Sequence, residues 1–221
     1  MQNAATFFGS TIGRKVVMGT TGLVLFGFVL AHMVGNLQLY MGPEVLNAYS
    51  EFLHHVGHGM GLWVARAGLL AAVSLHIWAA TSLTLASLKA RPVGYRETER
   101  RESTYASRTM RWSGPILFLF IVYHLLHFTT GTVHRSFVPG DVYHNVVAGF
   151  RVWPVSAFYI AAMITLGFHL WHGVWSMLQS LGLSHPRWNP FRKALATIFT
   201  VLVIAANISF PIAVLVGLVR E

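Results

Sequence analysis

The sequence predicts an all-α membrane protein, a bundle of five transmembrane helices, and three observations carry that expectation. The 221 residues are 54% hydrophobic and only 10% charged, where a soluble domain has about a quarter charged residues. Mean hydropathy is positive. Five apolar runs reach the length of about 20 residues that a helix needs to cross hydrocarbon. They lie at roughly 16 to 40, 62 to 88, 113 to 131, 154 to 182 and 195 to 219. Little is left over, so residues 1 to 221 read as a single transmembrane domain.

The first span carries glycines at 19, 22, 27 and 35, small residues that let neighbouring helices or a flat group approach closely. Met1 to Arg14 lacks the features of a cleaved signal peptide, so this span is expected to stay as an anchor. The next stretch sets Val45, Leu46, Tyr49, Phe52, Leu53 and Val56 at steps of one, three and four. That is the stripe of an amphipathic helix lying in the interface over roughly 44 to 57. Glu44, Glu51, His54, His55 and His58 fall on its other side or flank it. Two readings stand for them: solvated interfacial side chains, or a proton-exchanging rim beside a quinone pocket.

Span two holds His76, with Arg66 near its outer end, where its head can snorkel to the interface. The polar link from Lys89 to Arg111 reads as an inner loop, either partner-docking or simply solvated. Span three opens near Pro115, where a missing N–H is harmless. An outer loop follows, and its His134 and His144 are expected at the surface. Span four contains GFHLWHGVWSMLQSLG, residues 167 to 182, and span five has Asn207 and a kink-forming Pro211 but no histidine.

Cysteine is absent, which removes disulfides, thiolate-held clusters and thioether-attached haem. There is no G-x-G-x-x-G, P-loop or H-E-x-x-H either. The formal charge of +9 is unevenly placed, with 12 of 16 basic residues before span one or in the links between spans two and three and between four and five. The positive-inside rule then puts the amino terminus in the cytoplasm and the carboxyl terminus outside. Such a face suits anionic lipid or an acidic partner protein, not nucleic acid.

The histidines carry the chemistry. An imidazole in hydrocarbon needs a hydrogen-bond partner or a ligand, so each one at membrane depth is a candidate site. Four spans hold one: His32, His76, His124 with His127, and His169 with His172. Counted from outer helix ends near Tyr40, Gly61, Gly131 and Pro154, His32 and His124 lie seven or eight residues in, roughly 11 Å deep at 1.5 Å per residue. His76 and His169 lie 15 residues in, about 23 Å down by the same rise. Two histidines at each of two levels is the arrangement for two stacked bis-imidazole haems, whose filled axial positions suit electron transfer. Because His127 and His172 follow their neighbours by three residues, spacing alone does not choose within either pair.

Three motifs extend the reading: SxIGRKxxMGxTG at 10 to 22, HMVGNLQLYMGPEVLNAYSEFL at 32 to 53 and FHLWHGVWSMLQSLG at 168 to 182. Through them the chain resembles the cytochrome b subunits of succinate dehydrogenases and fumarate reductases, specifically the five-helix, two-haem b558 type that serves as a dihaem membrane anchor. The resemblance implies five transmembrane helices around two stacked b haems. It selects His169 as the fourth-helix ligand and His124, ten residues after the glycine of SGP, as the third. His32 then pairs with His124 at the outer (distal) haem iron and His76 with His169 at the inner (proximal) one. Arg14 and Lys15 are candidates for the haem propionates.

The same resemblance implies a bacterial cytoplasmic membrane, partners in the form of a flavoprotein with FAD and an iron–sulfur protein on the cytoplasmic side, and a quinone, usually menaquinone, as substrate. The dicarboxylate chemistry would lie in a partner, with this chain as the electron-transfer and quinone-reactive subunit. Some relatives carry a glutamate inside a transmembrane helix. Spans four and five here have no internal carboxylate, which leaves Glu51 and its neighbouring histidines as the candidates for proton exchange. Two other classes compete: a hydrogenase- or formate-dehydrogenase-type cytochrome b, and a haem-free scaffold or transporter.

Overall fold

The structure, a computed structural model, describes residues 4–90, 105–183 and 185–221. Most of the basic link between spans two and three, with Arg91, Arg96, Arg100 and Arg101, lies outside the described residues. Among those residues there are helices and no strand. A short helix, α1 (Ala4–Gly9), leads into α2 (Thr11–Asn36), where the Ser10 hydroxyl caps the first turn by accepting from the Gly13 N–H at 3.0 Å. A 3₁₀ turn, Leu37–Met41, extends α2, and Gly42 at φ 98° then turns the chain into α3 (Pro43–His55). Proline at the first position of α3 gives up an N–H that had no helical partner.

The long helices α4 (Met60–Lys89), α5 (Tyr105–His124), α7 (Trp153–Ser180) and α8 (Asn189–Leu215) complete the spans. Five helical stretches are long and apolar enough to cross a membrane: Thr11–Met41, Met60–Lys89, Thr109–Thr129, Trp153–Ser180 and Pro186–Leu215. The last ends at Leu215, short of the expected 219, because Gly217 adopts φ 76° and the Leu218 N–H turns back to the Ala213 carbonyl at 2.9 Å. The outer link contains one more helix, α6 (Val142–Arg151), where a loop was expected. Asp141 caps it by accepting from the His144 N–H at 3.0 Å, a signal masked by the Pro-Gly before it.

Helix α2 lies between α4 and α7, α7 lies between α2 and α5, and α8 packs along α7. Helices α3 and α6 cover the end that we call outer, and the ends of α2 and α8 bearing Lys15 and Arg192 mark the inner end. One core cluster joins α6 to the outer halves of α5, α7 and α8 through Phe120, Val147, Phe150, Tyr159 and Phe210. A second joins α2, α7 and α8 through Met33, Leu170, Val174, Phe199 and Val203. Large apolar side chains such as Val64, Leu70 and Trp112 point outward, as lipid-facing helices require. With lipid as solvent, packing and polar contacts between helices hold the bundle together more than hydrophobic burial does. At the inner end the buried Arg192 lies 4.2 Å over the Trp175 ring and donates to Asn189.

The outer cap is tied by polar contacts. The Asn47 amide on α3 donates to Asp141 at 2.9 Å, and its oxygen accepts from the Tyr143 N–H at 3.0 Å. His144 meets Glu221 at 2.7 Å, and the Tyr143 hydroxyl donates to the Arg220 carbonyl at 3.0 Å.

Candidate functional site

Four helices each bring one imidazole toward a partner ring, and the rings meet in two pairs; His76, His124 and His169 are half-buried and His32 is exposed. His32 on α2 faces His124 on α5 with ring centres 5.8 Å apart and planes at 89°. His76 on α4 faces His169 on α7 at 6.4 Å and 60°. Neither pair of helices packs along its length: α2 and α5 are separated by α7, and α4 and α7 by α2. Opposed imidazoles across a gap between helices leave room for a group held between them.

Separation tests what could lie between the rings. Two metal–nitrogen bonds of about 2 Å, with roughly 1 Å more from each nitrogen to its ring centre, put the centres about 6 Å apart. The two measured values, 5.8 and 6.4 Å, fall on either side of that figure. Among the described residues no three His, Asp or Glu side chains gather as a bare metal ion would need. Two imidazoles per level therefore suit an iron whose remaining positions are filled by a macrocycle.

The second nitrogen of each ring supplies an independent check, because a ligating histidine needs its other N–H held in place. His76 Nδ1 lies 3.1 Å from the Thr21 hydroxyl, which itself donates to the Val17 carbonyl at 2.7 Å. Having used its one proton, that oxygen accepts from His76, so Nδ1 carries the hydrogen and Nε2 keeps its lone pair. His169 repeats the pattern: its Nδ1 lies 3.1 Å from the Ser113 hydroxyl, which donates to the Met110 carbonyl at 3.3 Å. His124 Nδ1 lies 3.4 Å from the Tyr159 hydroxyl, and that phenol also lies 3.1 Å from His127 Nδ1. His76 and His169 are thus poised with Nε2 free, His124 has a phenol at Nδ1, and His32 is stacked on Phe28 at 5.4 Å.

The sequence left two pairs open, and geometry separates them. His124, not His127, faces His32. A π turn over Leu125–Thr129, closed by the Thr130 N–H on the Leu125 carbonyl at 2.9 Å, begins directly after His124 and swings His127 aside. On α7 it is His169 that meets His76; His172 is half-buried elsewhere on the helix.

Other expected residues are placed unevenly. Glu51 and His54 line an outer cavity of about 630 Å³ with Glu44, Asn47, Ser50 and Gly140, but His55 and His58 do not. His55 donates back to the Glu51 carbonyl at 2.8 Å, and His58 occupies a left-handed turn at φ 57° between two glycines. Lys15 lines an inner cavity of about 880 Å³ whose other polar groups are Thr11, Ser87, Ser176, Gln179 and Ser180. Arg14 is half-buried, and its Nε has no hydrogen-bond partner among the described residues. His134, expected at the surface, is buried: its ring stacks on His127 at 4.7 Å and its Nε2–H donates to the Asn145 carbonyl at 2.8 Å. The unforeseen helix α6 covers it.

Thr21, Ser113 and Tyr159 meet the paired histidines at positions that polarity alone does not reveal, since each hydroxyl can satisfy itself within a helix. A spacing signal exists nonetheless. Thr21 and Ser113 stand eleven residues before His32 and His124. Eleven residues is close to three turns of about 3.6, so hydroxyl and histidine share one face on α2 and again on α5.

Residues 87–208 match the family model described as the succinate dehydrogenase/fumarate reductase transmembrane subunit. The matched stretch includes Ser113, His124, Tyr159 and His169; Thr21, His32 and His76 precede it. No curated protein and no solved structure matches the chain. With more than half of its length in the match and five helices able to span a bilayer, the chain belongs to the family of succinate dehydrogenase/fumarate reductase transmembrane subunits.

Proposed function

We propose that this multi-pass membrane subunit is a two-haem cytochrome b of the b558 type, anchoring a succinate:quinone oxidoreductase and carrying electrons between its partners and a membrane quinone. The observation that carries the reading is the double pairing of imidazoles, at 5.8 and 6.4 Å, across helices that do not touch along their length. His32 with His124 would hold one iron and His76 with His169 the other. A b haem with two imidazoles supplies one-electron transfer and leaves no position for oxygen or substrate.

The chain's own residues do the rest. Thr21, Ser113 and Tyr159 fix the tautomer and plane of three ligands and raise their basicity. Lys15 and the hydroxyl and amide groups of the inner cavity suit propionate carboxylates through charge-assisted hydrogen bonds. At the outer cavity Glu51 and His54 stand where a quinone, menaquinone in this reading, would exchange protons. The basic inner face would receive the flavoprotein and iron–sulfur partners, and the positive-inside rule supports an amino terminus in the cytoplasm of a bacterial cell. Membership in this family, rather than among hydrogenase or formate dehydrogenase cytochromes, supports dicarboxylate chemistry in the partner.

An absorption spectrum of the purified chain tests the reading. Two b haems per chain are expected, and His76→Ala should lose one while the other survives. A colourless preparation would leave a haem-free scaffold as the better account.

A further inference from the structure

The four histidines are not held alike. At the inner level both Nδ1 groups end on aliphatic hydroxyls whose protons return to the backbone, Thr21 to Val17 and Ser113 to Met110. Each of those contacts is closed within one turn of helix. At the outer level, among the described residues, only His124 has a side-chain partner for Nδ1, and that partner is a phenol that also contacts a second imidazole. Tyr159 stands ten residues before His169 on α7. The position ten residues before His76 on α4 is Arg66, which is exposed over Trp63 and supplies nothing comparable.

From this contrast, and resting on the haem reading above, we infer that Tyr159 is a positioning residue that sets the ring plane and basicity of His124, and thereby lowers the reduction potential of the outer haem alone. The phenol is built to hold still. It is 5% exposed and boxed by the rings of Phe120 at 5.1 Å, Phe150 at 5.1 Å and Phe128 at 5.5 Å, all edge to face. A side chain with so little room cannot turn its hydroxyl away from His124 without displacing three aromatic neighbours.

Its acceptor is equally fixed. His127 is 3% exposed and stacked at 4.7 Å and 24° on His134. His134 in turn donates from Nε2 to the Asn145 carbonyl at 2.8 Å and accepts the Ser136 N–H at Nδ1 at 3.1 Å, so its ring cannot rotate freely. Gly149 backs the stack: a Cβ there would lie 2.9 Å from His127 Cε1 and 3.1 Å from His134 Nε2, so only glycine lets α6 approach both rings. The haem reading fixes the direction of the hydrogen bonds. With Nε2 given to iron, His124 carries its proton on Nδ1 and donates to the Tyr159 oxygen, which leaves the Tyr159 O–H for His127 Nδ1. A hydroxyl that donates to an imidazole is a better acceptor on its other side. The result is a more electron-rich His124, which favours the ferric over the ferrous iron.

The test is a redox titration and low-temperature EPR of the purified holoprotein and its Tyr159→Phe variant. Phenylalanine keeps the packed ring and removes only the oxygen. The expected result is two bound haems, with the midpoint potential of one raised, its low-spin EPR line moved, and the other haem as in the parent. If the variant loses the outer haem, His127→Phe carries the test by the same readouts, because it leaves the phenol in place without its acceptor; a smaller shift in the same direction is expected. Two haems with both potentials and both EPR lines unchanged would overturn the inference while leaving the haem reading intact. Absence of haem from the parent would instead remove the reading on which it rests.

Discussion

Replacing Thr21 with valine deletes one oxygen and keeps the shape, which makes it a clean probe of how the inner histidine pair is held. In the native chain the hydroxyl accepts from His76 Nδ1 at 3.1 Å and donates to the Val17 carbonyl at 2.7 Å. The second bond costs little to lose, since that carbonyl retains its helical partner. The first leaves a ring N–H in an apolar interior without an acceptor, a loss of about 1–3 kcal/mol. At about 1.4 kcal/mol per factor of ten, haem at the His76–His169 level should bind between roughly 5- and 150-fold more weakly, a range that brackets the 10- to 100-fold typical of lost support behind a metal ligand.

The outer level should not respond. Thr21 and His32 are eleven residues apart on one helix, about 16 Å, beyond the roughly 7–10 Å within which substitutions usually couple. Challenging the purified protein with a haem-scavenging apoprotein and following the two haems by their reduction potentials would separate the levels. Selective loss of one haem, with Thr21→Ser restoring it, is the expected outcome. Equal retention of both haems, or earlier loss of the outer one, would refute the claim that this hydroxyl supports the inner site.

Two further outcomes follow from the outer cap and its cavity. Asp141 is held below the usual carboxylate range, first by the His144 backbone N–H at 3.0 Å and then by the Asn47 amide at 2.9 Å. A group whose folded value is depressed contributes stability above its ordinary value, about 3.9, and that contribution fades as pH falls through the folded value. The difference in amide exchange of α6 between the parent and Asp141→Asn should therefore shrink as pH falls below about 4; a difference that persists unchanged there would contradict the linkage. In the assembled complex Glu51→Gln should slow quinone turnover by about 100-fold or more, the usual weight of a positioned acid or base, without changing haem content or spectra, and parental turnover would remove Glu51 from that role.

Much of this architecture is legible from residue order, and what is not has physical causes. The five spans declare themselves because lipid tolerates little polarity, so hydropathy and length suffice. Histidine depth is legible for the same reason: a fixed rise per residue converts a count into a level. Helix α6 was harder, since its start at Asp141 follows Val-Pro-Gly and its apolar face is short. His134 looked like a surface residue because nothing local requires its burial; only the fold of α6 over the π turn encloses it. The supporting hydroxyls hide behind a different ambiguity. A Thr, Ser or Tyr in a membrane helix usually satisfies itself against its own backbone, and only the eleven-residue interval to a histidine on the same helix distinguishes Thr21 and Ser113 from that ordinary case. Tyr159 has no such marker, because its two partners lie on another helix at a register that the π turn alters.

The eleven-residue interval also works as a ruler. Helices α2 and α5 each carry a candidate ligand for one level and a brace for the other, so the vertical gap between the two histidine pairs is written twice into rods that cannot stretch. Sliding either rod by a single turn would detach a ring at one storey and its support at the other in the same movement. In the two-haem reading proposed above, the distance an electron would hop is thereby protected against breathing of the bundle.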